Sequence, residues 1–228
     1  MILHLVTDRR RLTASAAWPE QRRCLRLQIR HAVEAGIDVV QLRERELDAA
    51  SLLALAEDAV AEAAGSRTRI VLNDRFDVAL AAGAHGVHLR SDSIAPAVVR
   101  RLVPPAFLIG RSVHSPEEAA VAVADVDYLI AGTVWPTASK RPGHALLGVA
   151  GLEAVVQAAA VPVLAIGGVT LDRVGAIAAT RAAGVAAIGL FIADRPSADT
   201  GSTCRAMPLH DVARRSTVQF AAAAPTRT

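Results

Sequence analysis

The sequence predicts a single α/β domain, a closed (β/α)8 TIM barrel, on three observations. Short runs rich in Val, Ile and Leu recur eight times (ILHLV, VVQL, RIVL, GVHL, LIGRS, YLIA, VPVLAI and VAAI) with little polar alternation, as strands covered on both faces require. Almost every run leads into an Ala/Leu-rich helical segment, a repeat that suits a parallel barrel better than an open sheet. Finally, no strand opens into a G-x-G-x-x-G turn with an acidic residue about 20 positions on, which argues against a dinucleotide-binding sheet.

The elements follow in order. Ile2 to Val6 is the first strand, ending at Thr7 and Asp8; an Arg-rich loop then runs to Gln21, and a helix spans Arg22 to Ala35 before Gly36. Val39 to Leu42 is the second strand. Asp48 caps a helix reaching Ala64, Gly65 closes it, and Arg69 to Leu72 forms the third strand. Phe76 to Ala82 is a short helix, Gly86 to Leu89 the fourth strand, and Ala95 to Leu102 a helix stopped by Pro104 and Pro105. Leu108 to Ser112 is the fifth strand. A helix starts near Pro116 with Glu117 and Glu118 in its first turn, and Tyr128 to Ala131 is the sixth strand. After a long loop, Gly132 to Gly148, a helix covers Gly151 to Ala159. The seventh strand lies within VPVLAIGGVT, Val161 to Thr170; Thr170 is the expected N-cap of a helix that ends near Ala183 with Gly184 as its C-cap. Val185 to Ile188 is the eighth strand. The barrel is expected over 1–193, an irregular segment and closing helix over 194–223, and a disordered tail over 224–228.

Composition bounds the function. The 228 residues are 52% hydrophobic with 3% aromatic, enough Ala, Val, Leu and Ile for a large core. No apolar run of about 18 residues and no signal-peptide pattern is present, so a cytoplasmic protein without a membrane partner is expected. The formal charge of +3 comes from clusters such as Arg9–Arg11 and Arg22–Arg23 that match no nucleic-acid motif, so no nucleic acid is expected as partner. Cys24 and Cys204 have no metal-ligand spacing and read as ordinary thiols. Lys140 is the only lysine among 25 basic side chains; its rotatable ammonium either has a specific duty or is retained by chance.

In a barrel, residues at the C-terminal strand ends share one face. Arg43 and Arg45 offer forks matched to phosphate, or pair with Glu44 or Glu46. Asn73 and Asp74 leave the third strand. Asp74 is suited to Mg²⁺ through oxygen or to a helix N-cap, and Asp92 is a doubtful second carboxylate. Ser112 presents a hydroxyl at the mouth with no nucleophile elbow around it, His114 reads as a loop or capping residue, and His88 as an inward barrel histidine. Thr137, Ser139 and Lys140 lie on a Gly/Pro loop that reads as a lid over an anion. Gly167 and Gly168, with Gly189 after the eighth strand, either serve turns or open the backbone to a phosphate. Two clusters attractive to phosphate suggest two phosphorylated substrates.

Taken together, LVTD (Leu5 to Asp8), QLRER (Gln41 to Arg45), LNDR (Leu72 to Arg75), GVHL (Gly86 to Leu89), RSVHS (Arg111 to Ser115), GTVWPTASK (Gly132 to Lys140) and AIGGVT (Ala165 to Thr170) resemble, in order and spacing, the thiamine phosphate synthase and TenI-type thiazole tautomerase superfamily. The resemblance implies a transferase of thiamine biosynthesis that couples an aminopyrimidine-methyl diphosphate to a thiazole phosphate and releases diphosphate. It implies Mg²⁺ on Asp74, diphosphate contacts from Arg43, Asn73 and Lys140, and Ser112 assisting at the leaving group, with Gln41 in the same pocket. Thr137 and Ser139, with the Gly168 and Gly189 backbone, would hold the thiazole phosphate. Two departures stand out. Where the synthase pattern has GQED after the fourth strand this chain has Arg90, Ser91, Asp92 and Ser93, and Arg45 stands where the synthase usually has Lys. The proton-shuttling His of the tautomerase pattern aligns with Thr133. The alternatives are a thiazole tautomerase or a non-catalytic phosphate-binding regulator, and the sequence leaves the oligomeric state, a homo-oligomer included, open.

Overall fold

The structure, a computed structural model, describes residues 1–122, 125–138, 143, 145–196 and 203–225. Eight parallel strands close into a barrel in chain order: β1 (Ile2–Val6), β2 (Val39–Leu42), β3 (Arg69–Asn73), β4 (Gly86–Leu89), β5 (Leu108–Val113), β6 (Tyr128–Ala131), β7 (Val163–Ile166) and β8 (Gly184–Ala187). The seam pairs β8 back onto β1, with Ile2 opposite Gly184 and Leu5 opposite Ala187. Close contact is required there, because a Cβ on Gly184 would stand 2.0 Å from the Ile2 carbonyl oxygen.

Strand alternation divides the core in two. Leu3, Leu5, Leu129, Ala131, Val163 and Ala165 face outward into a large apolar layer shared with the helices. Val6, Tyr128, Ile130, Leu164 and Ala186 face the barrel interior, where His4 and His88 are buried beside them. Gly110 lies level with Tyr128, and a Cβ on it would meet that ring at 2.1 Å; the glycine is what lets the aromatic ring fill the interior.

The described helices are α1 (Arg9–Leu12), α2 (Trp18–Glu34), α3 (Ala49–Ala63), α4 (Phe76–Ala81), α5 (Pro96–Arg100), α6 (Pro116–Ala122), α7 (Gly148–Ala158), α8 (Val174–Ala179) and α9 (His210–Ala223). Several boundaries differ from expectation. The Arg-rich loop contains α1, whose start is capped by the Asp8 carboxylate accepting from the Arg10 amide, and α2 begins at Trp18 because Pro19 is compatible with a first helical turn. Helix α7 starts three residues early, at Gly148. Thr170 is extended but makes no capping bond, and a single 3-10 turn, Leu171–Arg173, precedes α8. Gly184 is not a C-cap: α8 stops at Ala179, Arg181 takes the left-handed conformation at φ 65°, and Gly184 opens β8.

Beyond the barrel, Arg205 ties the returning chain down: its amide donates to the Leu12 carbonyl and its guanidinium to the carbonyls of Ala193 and Asp194. Leu209 is fully buried, and α9 packs on α8. Residues 197–202 of the expected irregular segment and 226–228 of the expected tail lie outside the described residues. Among the described residues no helix is long and apolar enough to cross a membrane.

Candidate active site

A cavity of about 740 Å³ opens at the C-terminal ends of the strands. Gln41, Arg43, Arg45, Asn73, Ser112, Thr137, Gly167, Gly168 and Gly189 all line it, so these nine of the residues expected from sequence converge there, whereas Asp74 and Asp92 do not. Ser139 and Lys140 lie outside the described residues.

A chain of hydrogen bonds forms the floor on the β1–β4 side. Gln41 donates from Nε2 to Asn73 Oδ1 at 3.1 Å, which leaves its Oε1 to accept from His4 Nε2 at 3.1 Å. That amide orientation makes His4 the Nε2–H tautomer. Burial pushes His4 down to about 4 despite the Gln41 bond, so the ring is neutral. Asn73 in turn donates from Nδ2 to Asp74 Oδ2 at 3.0 Å. On the other side, His88 Nε2 lies 2.9 Å from Ser112 Oγ, and burial, then the neighbouring His4, drives the His88 ring well below its ordinary value. Ser112 is thus anchored to a neutral imidazole with its hydroxyl at the mouth.

The alternatives left open for the charged residues resolve by geometry. Glu44 and Glu46 do not pair with Arg43 or Arg45. Glu44 is buried, accepts from Thr7 Oγ1 at 2.8 Å and pairs with Arg9 Nη1 at 2.9 Å, while Glu46 pairs with Arg9 and Arg10. Among the described residues, therefore, Arg43 and Arg45 form no ion pair. Burial, then the adjacent Arg43 and Arg90 charges, pushes the Arg45 guanidinium down, the signature of a crowded cationic corner.

Asp74 is not a helix cap; Arg75 occupies that position before α4. Asp74 sits at φ 61°, and its carboxylate turns to Arg90, accepting the Arg90 amide on Oδ1 at 3.0 Å and Arg90 Nε on Oδ2 at 2.6 Å. Asp92 is 71% exposed at its side chain and lies 3.5 Å from the same Nε. Neither carboxylate lines the cavity, whereas Arg90 does. Among the described residues no group of three His, Cys, Asp or Glu side chains converges as a metal site. A hard divalent ion needs carboxylate oxygens facing its substrate, and here the partly buried Asp74 carboxylate is capped by a guanidinium, so the donor set as it stands does not fit Mg²⁺.

The opposite wall is built from glycine turns. Gly167 and Gly168 have φ of 100° and 64°, and Cβ atoms there would stand 2.4 Å from Thr133 Cγ2 and 2.6 Å from the Pro136 carbonyl oxygen. Only glycine satisfies both the conformation and the approach. Arg173 braces the turn by donating to the Gly168 carbonyl at 2.7 Å and lying over the Trp135 ring. Arg11 faces Gly189, 3.1 Å from where a Cβ would project.

A sequence profile described as thiamine monophosphate synthase matches residues 4–191. The chain belongs to the thiamine monophosphate synthase family. Relatives include the thiamine-phosphate synthases of Methanospirillum hungatei (36% identical, covering 74% of this chain and 83% of that one) and Roseiflexus castenholzii (33%, covering 89% and 86%). Thiamine phosphate pyrophosphorylase from Pyrococcus furiosus superposes with a TM-score of 0.75 at 26% identity, over 97% of this chain and 96% of that one. A 3-hexulose-6-phosphate synthase, at 16% identity and TM-score 0.62, shares the barrel alone.

Within this thiamine monophosphate synthase fold, the cavity residues that sequence reasoning missed include Arg11, Arg90, His114 and Met207. Arg11 was hidden in a run that reads as solvated, and Arg90 in a departure from the family pattern. His114, expected to be a loop residue, lines the cavity and is held by the Gly132 carbonyl through Nδ1. Met207 reaches the wall from beyond the barrel, which nothing in its local sequence signals.

Proposed function

We propose that the protein is a transferase of thiamine biosynthesis that couples an aminopyrimidine-methyl diphosphate to a thiazole phosphate. The observation that carries this reading is the two-sided cavity, with Arg43, Arg45 and Arg90 at one rim and the Gly167–Gly168 turn with Gly189 and Arg11 at the other. The two separate walls suit two anionic groups, in a chain of this family. Arginine forks suit a diphosphate, and glycine turns with exposed amides suit a single phosphate.

In this reading the bond from the pyrimidine methylene carbon to the diphosphate oxygen breaks, and diphosphate departs with the electron pair. The thiazole nitrogen then forms the new C–N bond to that carbon. Arg43, Arg45 and Asn73 receive the diphosphate, and Ser112, held by neutral His88, donates to the departing oxygen. Gln41 orients the pyrimidine from the floor. Thr137 holds the thiazole phosphate with Gly168 and Gly189, and Ser139 and Lys140 keep the roles the sequence suggests. Homologues named thiamine-phosphate synthase support the assignment. The tautomerase alternative is disfavoured by Thr133, since a hydroxyl is no near-neutral general base.

Purified protein incubated with both substrates is expected to form thiamine phosphate, read by fluorescence after oxidation. If both substrates bind and no product forms under any divalent-ion condition, the reading is wrong.

A further inference from the structure

We propose that Arg90 takes the position a divalent cation would occupy over Asp74, so that this site holds the diphosphate of its substrate with guanidinium groups in place of a metal. The inference rests on the proposed coupling reaction for its substrate and on the β3 and β4 exits for its geometry.

Asp74 secures Arg90 at two points, amide and Nε, while Asn73 fills the remaining reach of Oδ2. The carboxylate thus accepts three protein hydrogen bonds, two of them on Oδ2, before any ligand arrives. Among the described residues no acceptor bonds the Nη atoms of Arg90, and this side chain lines the cavity while Asp74 does not. A guanidinium gripped through Nε presents its Nη edge, the edge that pairs with two phosphate oxygens at once. The loop carrying it is braced as well: the Ser93 amide donates to the Arg90 carbonyl, and Arg111 Nη2 to the Ser91 carbonyl at 2.9 Å. Arg43 and Arg45 stand beside it on the same rim, so three guanidinium groups face one ligand position. Two of the substitutions relative to the synthase pattern make one physical change. Relative to that pattern, position 93 carries a hydroxyl in place of a carboxylate and position 90 a guanidinium in place of glycine, so negative charge is replaced by positive at this strand exit.

The test is calorimetric titration of inorganic diphosphate into wild type, Arg90→Gly and Arg90→Gln, each in EDTA and in Mg²⁺, with folding checked by circular dichroism. Wild type is expected to bind in EDTA with affinity changed less than about threefold by Mg²⁺. Both variants are expected to lose about tenfold or more in EDTA. Arg90→Gly, with Asp74 uncapped, is expected to recover part of that loss in Mg²⁺ and to retain Mn²⁺ by paramagnetic resonance, which wild type does not. Diphosphate binding by wild type that is tenfold tighter in Mg²⁺, or unchanged binding by both variants in EDTA, overturns the inference. The coupling assay separates the two readings. Product in Mg²⁺ but not in EDTA preserves the transferase and overturns the arginine substitution. Product under neither condition removes the transferase, and the diphosphate titration still decides the role of Arg90.

Discussion

His4 and His88 lie edge to face, 6.3 Å apart, and both contact the Tyr128 ring. Both imidazoles remain neutral because charging either one costs desolvation, and charging His88 meets repulsion from His4 as well. His4 is held near 4 in the folded barrel and returns to about 6.5 when unfolded. The unfolded chain therefore binds the proton more readily as pH falls. Stability attributable to this ring is complete above about pH 6.5 and is lost progressively down to about 4. At roughly 1.4 kcal/mol per unit the loss totals about 3 kcal/mol. Urea melts over that range are expected to show the decline, and His4→Gln is expected to flatten it; an unchanged slope in the variant contradicts the assignment. Residue identity was enough to nominate the polar residues Gln41, Arg43, Arg45, Asn73, Ser112 and Thr137 of the cavity. Their partners were not legible: that Glu44 belongs to Arg9, and Asp74 to Arg90, depends on which strand exits become neighbours once the ring has closed.

At the scale of elements, the strands were legible because each is a short apolar run, and only their ends moved, by one residue or, at the start of β7, by two. Helices were read less well where a local rule had a competitor. Gly184 offered a helix end, but the seam needed a residue without a side chain at the start of β8, so Arg181 adopted the left-handed conformation instead. The β7 exit shows the reverse case, where the glycine signal was right and the helix signal beside it was weak. Gly168→Ala places a methyl against the Pro136 carbonyl in a left-handed backbone. The expected result is a stability loss of about 1–3 kcal/mol in denaturant melts, together with weaker thiazole phosphate binding. Diphosphate affinity at the opposite rim is expected to be preserved. Equal loss of both ligands would mean that the two walls do not act separately.

For the whole molecule, the closed barrel followed from counting eight strand–helix units, a property of the sequence that no single boundary error disturbs. The contribution of Met207, and the return of the chain through Arg205 to Leu12, were invisible because they join segments with no periodic pattern. The seam between β1 and β8 has a further consequence, in time instead of space. All other strand pairs join neighbours in sequence, but Ile2 waits for Gly184. During synthesis the edge of β1 that pairs with β8 has no partner strand until almost the entire barrel has emerged. A chain truncated before Gly184 is expected to elute as expanded or associated species in size-exclusion chromatography, with fast amide exchange on the free edge of β1. A compact monomer with β1 protected would show that the arc of seven strands is stable alone. The ring closes only through the β1–β8 pairing, so the ligand-binding mouth, whose lining includes Ala187, Ile188 and Gly189, acquires a complete rim only when the last strand arrives.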